Sequence, residues 1–324
     1  MDNQLQNKHS VPVSDAHQAW KLIDSVSRIT LLTHVKPDGD GISACAALDH
    51  ILTHRGKLVE TVYPNNPEFD FKRQPKKILL KTHTHFPELI ISCDVANLDR
   101  MYMPTVFKSI PLINIDHHVS NSVTGTLNFI VPQASSTCEV VYDLLTLISP
   151  TLIDTYTAEC LLMGILYDSQ VFHTNNTTAK TLQIAANLIE LGADMHQLET
   201  ELLSNKNPRI IKFWGNLLSN VQFAYDNQVA WIAITQKDLQ TMGLTLSSLV
   251  GFSNFLWQMS DIDITILFYE TEDKKTKISL RSKKSDVNAI AQTLGGGGHK
   301  LAAGILLDST IEKGIEKTIQ AINK

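Results

Sequence analysis

The stretch Thr33-His34-Val35-Lys36-Pro37-Asp38-Gly39-Asp40-Gly41 decides the fold of this chain. The apolar run at 29–32 before it predicts a strand, and the run at 42–52 after it predicts a helix. One histidine and two carboxylates therefore lie on a turn that follows a strand, which is where open α/β sheets bind ligands. One nitrogen and two oxygen donors suit a divalent ion such as Mn, Fe, Co or Zn better than calcium, which prefers oxygen donors alone. The alternative is an ordinary polar turn in which Asp38 or Asp40 caps the helix.

The first part of the chain alternates short apolar runs with helical or loop segments. Predicted strands lie at 29–33, 58–63, 89–93 and 112–115. Helical patterns then follow at 136–148, 155–167, 179–191 and 195–203. Short buried strands in this order predict an α/β domain with a doubly wound, mainly parallel sheet.

The sequence Asn205-Lys206-Asn207-Pro208 is typical of a helix break, so we expect a linker near 204–210. The linker separates a domain at 1–205 from a second domain at 206–324. Predicted helices of the second domain lie at 208–223, 247–258, 287–293 and 311–322, and predicted strands at 229–235, 262–269 and 277–281. A turn at 272–275 joins the last two strands. We therefore expect a smaller α/β domain with a mixed sheet.

The composition narrows the class of protein and of partner. The chain has 324 residues and a net charge of −5, without the basic excess of a general duplex binder. No apolar run reaches the ~18–20 residues of a membrane helix, and residues 1–10 lack the apolar core of a signal peptide. The cysteines form no Cys-x-x-Cys pair and are typical of free thiols in a reducing compartment: Cys45, Cys93, Cys138 and Cys160. We therefore expect a cytoplasmic protein that binds neither duplex nucleic acid nor membranes, whereas a small anionic substrate fits.

Further acidic and histidine residues follow the later apolar runs. Asp94 follows the third predicted strand, Asp116-His117-His118 follows the fourth, and Asp168 follows an apolar helix. Because the carboxyl ends of parallel strands share one edge of a sheet, the groups after the strands would converge with those of the opening stretch. Taken singly, each has a plain alternative as a cap, turn or surface residue. Together, so many carboxylates stay ionised only beside cations, which predicts two divalent metals held roughly 3.5–4 Å apart by a bridging carboxylate.

In order and combination these motifs resemble the DHH phosphoesterase superfamily, specifically its short-oligoribonuclease (nanoRNase) and pAp-phosphatase branch, with its C-terminal DHH-associated substrate-binding domain. The resemblance spans roughly residues 15–320. Its motifs are His-x-x-Pro-Asp-Gly-Asp at 34–40, Asp94, Asp-His-His at 116–118, Asp168 and the glycine-rich segment 295–304.

The resemblance implies a metal-binding set of histidines and aspartates: His34, Asp38, Asp40, Asp94, His117 and Asp168. His34 and Asp38 would hold one ion. The other ion would be held by Asp40, His117 and Asp168, and Asp94 would bridge the two. Asp94, Asp116 and His118 are the implied catalytic residues. Asp116 would orient the histidines, and His118 would face the substrate phosphate or the leaving group. The implied cofactor is two divalent ions, most often Mn²⁺, with Mg²⁺ or Co²⁺ as alternatives.

The resemblance assigns substrate binding to the second domain, through Arg281, Ser282, Gly296, Gly297, Gly298 and His299. The chemistry agrees, because a glycine run can bring backbone N–H groups against a phosphate and arginine can bind one through two hydrogen bonds. Taken alone, 295–298 would be a flexible turn and 281–284 a solvated basic loop. One motif departs from the family, since Asp168-Ser169-Gln170 stands where Asp-Thr-Gly is common. That departure leaves the substrate preference open.

The implied function is metal-dependent hydrolysis of dinucleotides and slightly longer oligonucleotides to mononucleotides, and 3′-dephosphorylation of 3′-phosphoadenosine 5′-phosphate (pAp) to AMP. A hydroxide activated by both metals would attack the phosphorus in line, without a phosphoenzyme. The expected partners are short single-stranded oligonucleotides, linear dinucleotides and pAp, and a homodimer is compatible with the sequence. One alternative is an inorganic pyrophosphatase or exopolyphosphatase of the same superfamily, which the basic segment 281–284 weakly favours. The other is a non-catalytic nucleotide sensor, against which the complete set of metal ligands argues.

Overall fold

The structure is a computed structural model that describes residues 11–67, 71–203, 207–249 and 251–322. The chain divides into two compact units, Met1–Asn205 and Lys206–Lys324. Each unit is built on its own sheet. Within the described ranges, no helix is both long and apolar enough to span a bilayer.

The first unit contains a parallel sheet of six strands among its described residues. The strands are β1 (Arg28–Leu32), β2 (Leu58–Tyr63), β3 (Ile78–Leu80), β4 (Leu89–Cys93), β5 (Leu112–Asp116) and β6 (Leu127–Ile130). Their order is β3-β2-β1-β4-β5-β6, and every neighbouring pair is parallel. The chain therefore winds outward from β1 in one direction and from β4 in the other. The expected α/β domain with a doubly wound parallel sheet is confirmed.

Helices cover one face of this sheet. They are α1 (Val13–Asp24), α2 (Gly39–His54), α3 (Thr137–Ile148), α4 (Thr155–Asp168), α5 (Ala179–Glu190) and α6 (Met195–Leu203). Alternate residues of β1 point to opposite faces, so Leu31 packs in the core under the helices and Leu32 packs in a smaller core on the other side. Met101 and Phe107, from the connection between β4 and β5, cover that second face.

The strands that the sequence did not predict lie at the edges of the sheet. In β3 no residue is fully buried, and in β6 only Phe129 is. Such strands lack the continuous apolar run by which the central strands are recognised. The prediction also omitted α1, although its buried residues Ala16, Ala19 and Ile23 recur at helical spacing.

The second unit contains a mixed sheet, as expected from the sequence. Its strands are β7 (Gln222–Ala224), β8 (Val229–Ile234), β9 (Ile264–Glu270), β10 (Thr276–Ser282), β11 (Gly297–His299) and β12 (Ala302–Leu307). Their order among the described residues is β11-β12-β10-β9-β8-β7, in which β8 and β9 are parallel and the other pairs antiparallel. Its helices are α7 (Pro208–Leu218), α8 (Gln236–Met242), α9 (Phe252–Trp257), α10 (Val287–Thr293) and α11 (Ile311–Ile322).

Two predicted helices of this unit are shorter than expected. The helix predicted at 208–223 ends at Leu218, and its last residues form β7 instead. The helix predicted at 247–258 is interrupted at Gly251, whose φ of 85° lies in the left-handed region and cannot continue a helix. The glycine-rich segment also differs from a loop, because 297–299 is the edge strand β11.

Candidate metal centre

The candidate site lies where the strand order reverses. The chain leaves β1 toward β2 and leaves β4 toward β5, so a crevice opens between the carboxyl ends of β1 and β4. His34 follows β1, Asp94 follows β4, and Asp116 is the last residue of β5. Three overlapping groups of donor atoms, each within 4.8 Å of one another, form here among the described residues: His34, Asp38 and Asp94; Asp40, His117 and Asp168; and Asp94, Asp116, His117 and His118.

The first group is held by the turn after β1. His34 Nδ1 hydrogen-bonds the carbonyl of Val35 at 2.7 Å, which leaves Nε2 3.5 Å from Asp38 Oδ2 and 3.3 Å from Asp94 Oδ2. Asp38 Oδ1 accepts from the backbone N–H groups of Asp40 and Gly41, at 3.1 and 3.2 Å, and so caps α2. Asp38 therefore caps the helix with one oxygen and faces His34 with the other.

Asp40 lies in the first turn of α2 and is fully buried. Its carboxylate accepts from the N–H groups of Thr137, at 2.6 Å, and Cys138, at 3.0 Å, at the start of α3. Helix N-termini stabilise negative charge, so the start of α3 holds this carboxylate in place. Gly164 lets α4 approach, because a Cβ there would lie 2.8 Å from Asp40 Oδ1 and 2.2 Å from Cys138 Sγ.

Asp94 lies among the three histidines of the site, and its Oδ1 is 3.4 Å from His118 Nδ1. Its Oδ2 is 3.3 Å from His34 Nε2, and its Oδ1 is 3.8 Å from His117 Nε2. Thr137 Oγ1 donates to the same Oδ1 at 3.2 Å. The backbone of Asp94 has a φ of 63°, a left-handed conformation that non-glycine residues rarely adopt but aspartate tolerates. The turn therefore directs one carboxylate toward both donor groups.

Asp116 orients the two histidines that follow it. Its Oδ1 accepts from the N–H groups of His117 and His118 and from His118 Nδ1, at 2.7, 3.1 and 2.7 Å. His117 Nδ1 lies 3.2 Å from the carbonyl of Ala134, so its Nε2 faces Asp168 Oδ2 at 3.1 Å. His118 is bound through Nδ1, which leaves Nε2 on the other side of a ring that is 24% exposed.

Electrostatics of the cluster indicate an excess of negative charge. Burial, together with repulsion from Asp94 and Asp168, raises the pKa of Asp40 well above its usual range. Burial also raises the pKa of Asp168, against the opposing effect of His117. Burial alone would lower the pKa of His34, but its hydrogen bonds and ion pairs with Asp38 and Asp94 raise it to about 11.

The donor set fits divalent cations. Imidazole nitrogens and carboxylate oxygens converge, and a cation among them would relieve the repulsion that raises the pKa of Asp40 and Asp168. Mixed nitrogen and oxygen donors suit Mn, Co, Fe or Zn, whereas thiolate-rich sites select softer ions. Cys138 is buried beside Asp40, but its Sγ contacts the Asp40 carbonyl at 3.6 Å and burial raises its pKa, so it is a neutral thiol.

Sequence reasoning missed the residues that support this centre. Thr137 and Cys138 bind Asp40 and Asp94, and Asn121 donates to Asp116 Oδ2. Buried Glu139 accepts from the N–H and Oγ of Ser135 and so fixes the segment that leads into α3. The segment Ser135-Ser136-Thr137 before an apolar helix was a visible capping signal, but nothing in the sequence placed it beside the turn after β1.

The departure at Gln170 leaves the turn after Asp168 in a conformation typical of glycine. Gln170, Val171 and Phe172 have φ values of 50°, 58° and 64°. A left-handed residue other than glycine costs roughly 1 kcal/mol, and here three follow one another. The N–H of Phe172 donates to Ser169 Oγ at 3.0 Å, which helps to hold the turn. Gln170 therefore adopts a backbone conformation that glycine would adopt at a lower cost.

The predicted substrate-binding residues lie together in the second unit. Arg281 pairs with Ala302 across β10 and β12, and Ala302 pairs with His299 across β12 and β11, so these three residues share one row of the sheet. The side chain of His299 lies outside the described part of the structure. Arg281 is partly buried, and within the described part its guanidinium donates only to the carbonyl of Leu280, at 3.3 Å. Burial lowers the pKa of Arg281, which is expected of a cation without a carboxylate partner among the described residues.

Ser282 and the glycine run have contacts within the second unit that the sequence did not predict. Ser282 is buried, and its Oγ donates to Asp263 Oδ1 at 3.1 Å, so its hydroxyl holds a turn in this structure. In the glycine run, a Cβ at Gly296 would lie 2.3 Å from the Gly304 carbonyl, and one at Gly298 would lie 2.4 Å from the Ala302 carbonyl. These two glycines allow close packing against β12. An edge strand nevertheless presents one row of backbone groups that the sheet does not use.

The chain is similar in sequence and in fold to known proteins. Two family models match, described as the DHH family, N-terminal domain, at residues 28–165 and the DHHA1 domain at residues 226–324. The chain is 30% identical to the bifunctional oligoribonuclease and PAP phosphatase NrnA of Bacillus subtilis, over 88% of this chain and 90% of that protein. It is 28% identical to the protein of the same name from Thermus thermophilus, over 91% of this chain and 89% of that protein. Its fold is similar to the crystal structure of an exopolyphosphatase-related protein from Bacteroides fragilis, with a TM-score of 0.89, 24% identity and 96% of both chains covered.

Proposed function

Since the chain belongs to the DHH family, we propose that it is a metal-dependent phosphoesterase that cleaves very short oligonucleotides to mononucleotides and removes the 3′-phosphate of pAp. The observation that carries the proposal is the position of Asp94, whose Oδ2 lies 3.3 Å from His34 Nε2 and whose Oδ1 lies 3.8 Å from His117 Nε2. A carboxylate in that position suits a bridge between two ions. The names of the Bacillus and Thermus relatives state both activities, which supports the same substrates here.

The proposed ligands divide into two sets that share Asp94. His34 and Asp38 would hold one ion with it, and Asp40, His117 and Asp168 would hold the other. When bound, divalent ions lower the pKa of water and neutralise charge that develops on a phosphoryl group. Manganese is the proposed ion, because it accepts imidazole and carboxylate donors together.

We propose that His118 donates a proton to the leaving oxygen. The hydrogen bond from its Nδ1 to Asp116 raises the pKa of His118, which favours the protonated ring. A protonated ring held through Nδ1 has Nε2–H available for donation to a substrate oxygen. General acids of this kind typically contribute 10²–10⁴-fold to the rate. Asp116 would fix the ring orientation without touching the substrate.

Nucleotide recognition is assigned to the second unit. Arg281 is a partly buried guanidinium whose only described hydrogen bond is to a neighbouring carbonyl, so a substrate phosphate is a suitable partner. We propose that His299 and the glycines Gly296, Gly297 and Gly298 bind the rest of the nucleotide, since they lie on the edge strand β11 or at its start. The net charge of −5 favours short single-stranded substrates over duplexes, and we place the enzyme in the cytoplasm.

A substrate panel tests this proposal. The purified chain would be assayed with Mn²⁺ on pApA, pGpG, a longer RNA, pAp, pyrophosphate and polyphosphate, with the products separated by chromatography. We expect mononucleotides from the dinucleotides, AMP from pAp and slower cleavage of the longer RNA. Preferential hydrolysis of pyrophosphate or polyphosphate would favour the other enzymatic branch of the superfamily. Binding of pApA without turnover would favour a nucleotide sensor.

A further inference from the structure

Asp263 is a partly exposed carboxylate that accepts four hydrogen bonds from neighbouring residues of one segment. It lies immediately before β9, and its Oδ1 accepts from Ser282 Oγ at 3.1 Å and from the N–H groups of Lys283 and Lys284 at 3.2 and 2.8 Å. Its Oδ2 accepts from Ser285 Oγ at 2.5 Å. These donors belong to the turn at 282–285, which begins at the last residue of β10. One carboxylate therefore closes the whole turn.

The same turn is fastened to the segment that follows β11. The N–H of Ser282 donates to the Leu301 carbonyl at 2.9 Å, and the N–H of Val287 donates to the Lys300 carbonyl at 2.8 Å. Trp257, the last residue of α9, donates from Nε1 to the Ser282 carbonyl at 3.2 Å. The turn thus lies between Asp263 on one side and the end of the glycine-rich segment on the other.

The carboxylate of Asp263 is hydrogen-bonded by the turn and forms no ion pair with a described cationic side chain. Among the described residues, every hydrogen bond that its carboxylate accepts comes from an N–H or a hydroxyl of 282–285. Burial would raise the pKa of Asp263, but these hydrogen bonds outweigh it and lower the pKa, so the group is ionised at neutral pH. Hydrogen bonds to a charged acceptor are stronger than neutral ones, so they stabilise the turn.

Arg281 is the strand residue next to this turn. It precedes the turn directly and shares a row of the sheet with His299, which lies just before Lys300. Since no described carboxylate pairs with the Arg281 guanidinium, its place depends on the backbone on either side of it. The strand fixes that backbone before Arg281, and the turn closed by Asp263 fixes it afterwards.

We propose that Asp263 is a positioning residue for substrate binding, which acts by closing the 282–285 turn and so holds Arg281 beside the His299–Leu301 segment. Ser282 acts with Asp263 as part of the turn. This inference rests on the proposed function, because it assigns Arg281 to a phosphate of the nucleotide. It adds a residue that the sequence motifs did not include.

The test compares Asp263→Asn with the matched control Asp273→Asn. Asp273 accepts from Thr271 Oγ1 and pairs with Lys275 at 2.9 Å, in the turn at the opposite end of β9 and β10. KM and kcat would be measured for pApA and for bis(p-nitrophenyl) phosphate, a small ester with little for Arg281 to bind, and bound Mn²⁺ would be counted. For Asp263→Asn we expect KM for pApA to rise ~10-fold, because the hydrogen bonds that close the turn lose their charged acceptor. We expect kcat for pApA, both kinetic constants for the small ester and the metal content to change little. For Asp273→Asn we expect no change.

Two further variants separate the possible failures. If the wild type hydrolyses neither pApA nor pAp with Mn²⁺, the proposed function is wrong. If the wild type is active and Arg281→Ala raises KM for pApA while Asp263→Asn does not, only the positioning role is wrong. If Asp263→Asn does not fold by circular dichroism, Ser285→Ala removes one of the four bonds, and we expect KM for pApA to rise about 3-fold. An unchanged KM in that folded variant, or an equal loss on both substrates, would overturn the inference.

Discussion

The two oxygens of Asp38 have different partners, which bears on the sequence-based alternative between a helix cap and a metal ligand. Oδ1 caps α2 through the N–H groups of Asp40 and Gly41, while Oδ2 faces His34. A helix cap and a metal ligand are therefore compatible at one residue. Asp116 also has several partners, because its Oδ1 accepts from the backbone N–H groups of His117 and His118 and from the His118 ring.

Substitution of Asp94 tests the shared ligand. Asparagine tolerates the left-handed backbone at this position and keeps the acceptor for Thr137, so we expect Asp94→Asn to fold. It removes the charge between His34 and His117, and we expect loss of bound Mn²⁺ and of turnover. Metal analysis and a pApA assay would measure both. The exposed Asp99→Asn is the control, and full activity in Asp94→Asn would contradict the two-metal arrangement.

Substitution of His118 tests the assignment of a proton donor. The amide of His118→Asn can replace Nδ1 as a donor to Asp116 but has nothing in the place of Nε2. We expect kcat to fall by about 10²–10⁴ with unchanged metal content, the range typical of a general acid. His54→Asn, in the last turn of α2, is the control. If His118→Asn loses metal instead, His118 is a ligand and the assignment is wrong.

At the scale of elements, the centre depends on three helix ends that meet. The start of α2 carries Asp40, the start of α3 binds its carboxylate through Thr137 and Cys138, and the end of α4 supplies Asp168. Gly164 permits this meeting, because any side chain there would collide with Cys138 and Asp40. Packing between helices and ligand geometry are therefore coupled.

Gly164→Ala tests that coupling. We expect the free energy of unfolding to fall by about 1–3 kcal/mol, as for other overpacked cores, and affinity for Mn²⁺ to fall because Asp40 must move. The control is Gly215→Ala in α7, where a new Cβ meets no atom within 4 Å. There alanine should stabilise the helix by roughly 0.5–1 kcal/mol. Thermal denaturation and metal titration would measure both variants. Unchanged metal affinity in a destabilised Gly164→Ala would show that the helices and the ligands are independent.

At the scale of the whole molecule, the metal ligands and the proposed nucleotide contacts lie in separate compact units. Each unit has its own sheet and its own hydrophobic cores. A ligand that binds only the folded first unit should therefore stabilise that unit selectively.

Addition of Mn²⁺ tests this expectation. A ligand at 100 times its Kd stabilises the folded state by about 2.7 kcal/mol, so we expect calorimetry to show a higher transition temperature for the first unit only. Without metal, the raised pKa of His34, about 11, gives a stabilisation that is complete below its ordinary pKa of 6.5 and is lost as the pH rises through 11. Bound metal replaces that proton, so the shift caused by Mn²⁺ should be larger at pH 8 than at pH 6. A shift that is equal at both values, or that is confined to the second unit, would contradict the assignment.

The sequence alone determined the fold class and the set of candidate ligands, because both depend on local patterns. Buried central strands are continuous apolar runs, and the polar residues that follow them, such as His34, Asp94 and Asp116, reach one edge of a parallel sheet in any winding order. Edge strands such as β3 and β11 escaped prediction, since exposed or glycine-rich strands carry no such pattern.

Only the tertiary structure decided which groups meet. The partners of Asp40 at the start of α3 are about a hundred residues away in sequence, and those of Asp263 are about twenty away on another strand. Strand order placed β1 beside β4, and sheet register placed Arg281 in one row with His299. The pattern of apolar residues along the sequence predicts which residues face the core. Their neighbours across the fold depend on how whole elements pack, and that is decided by contacts between segments distant in sequence.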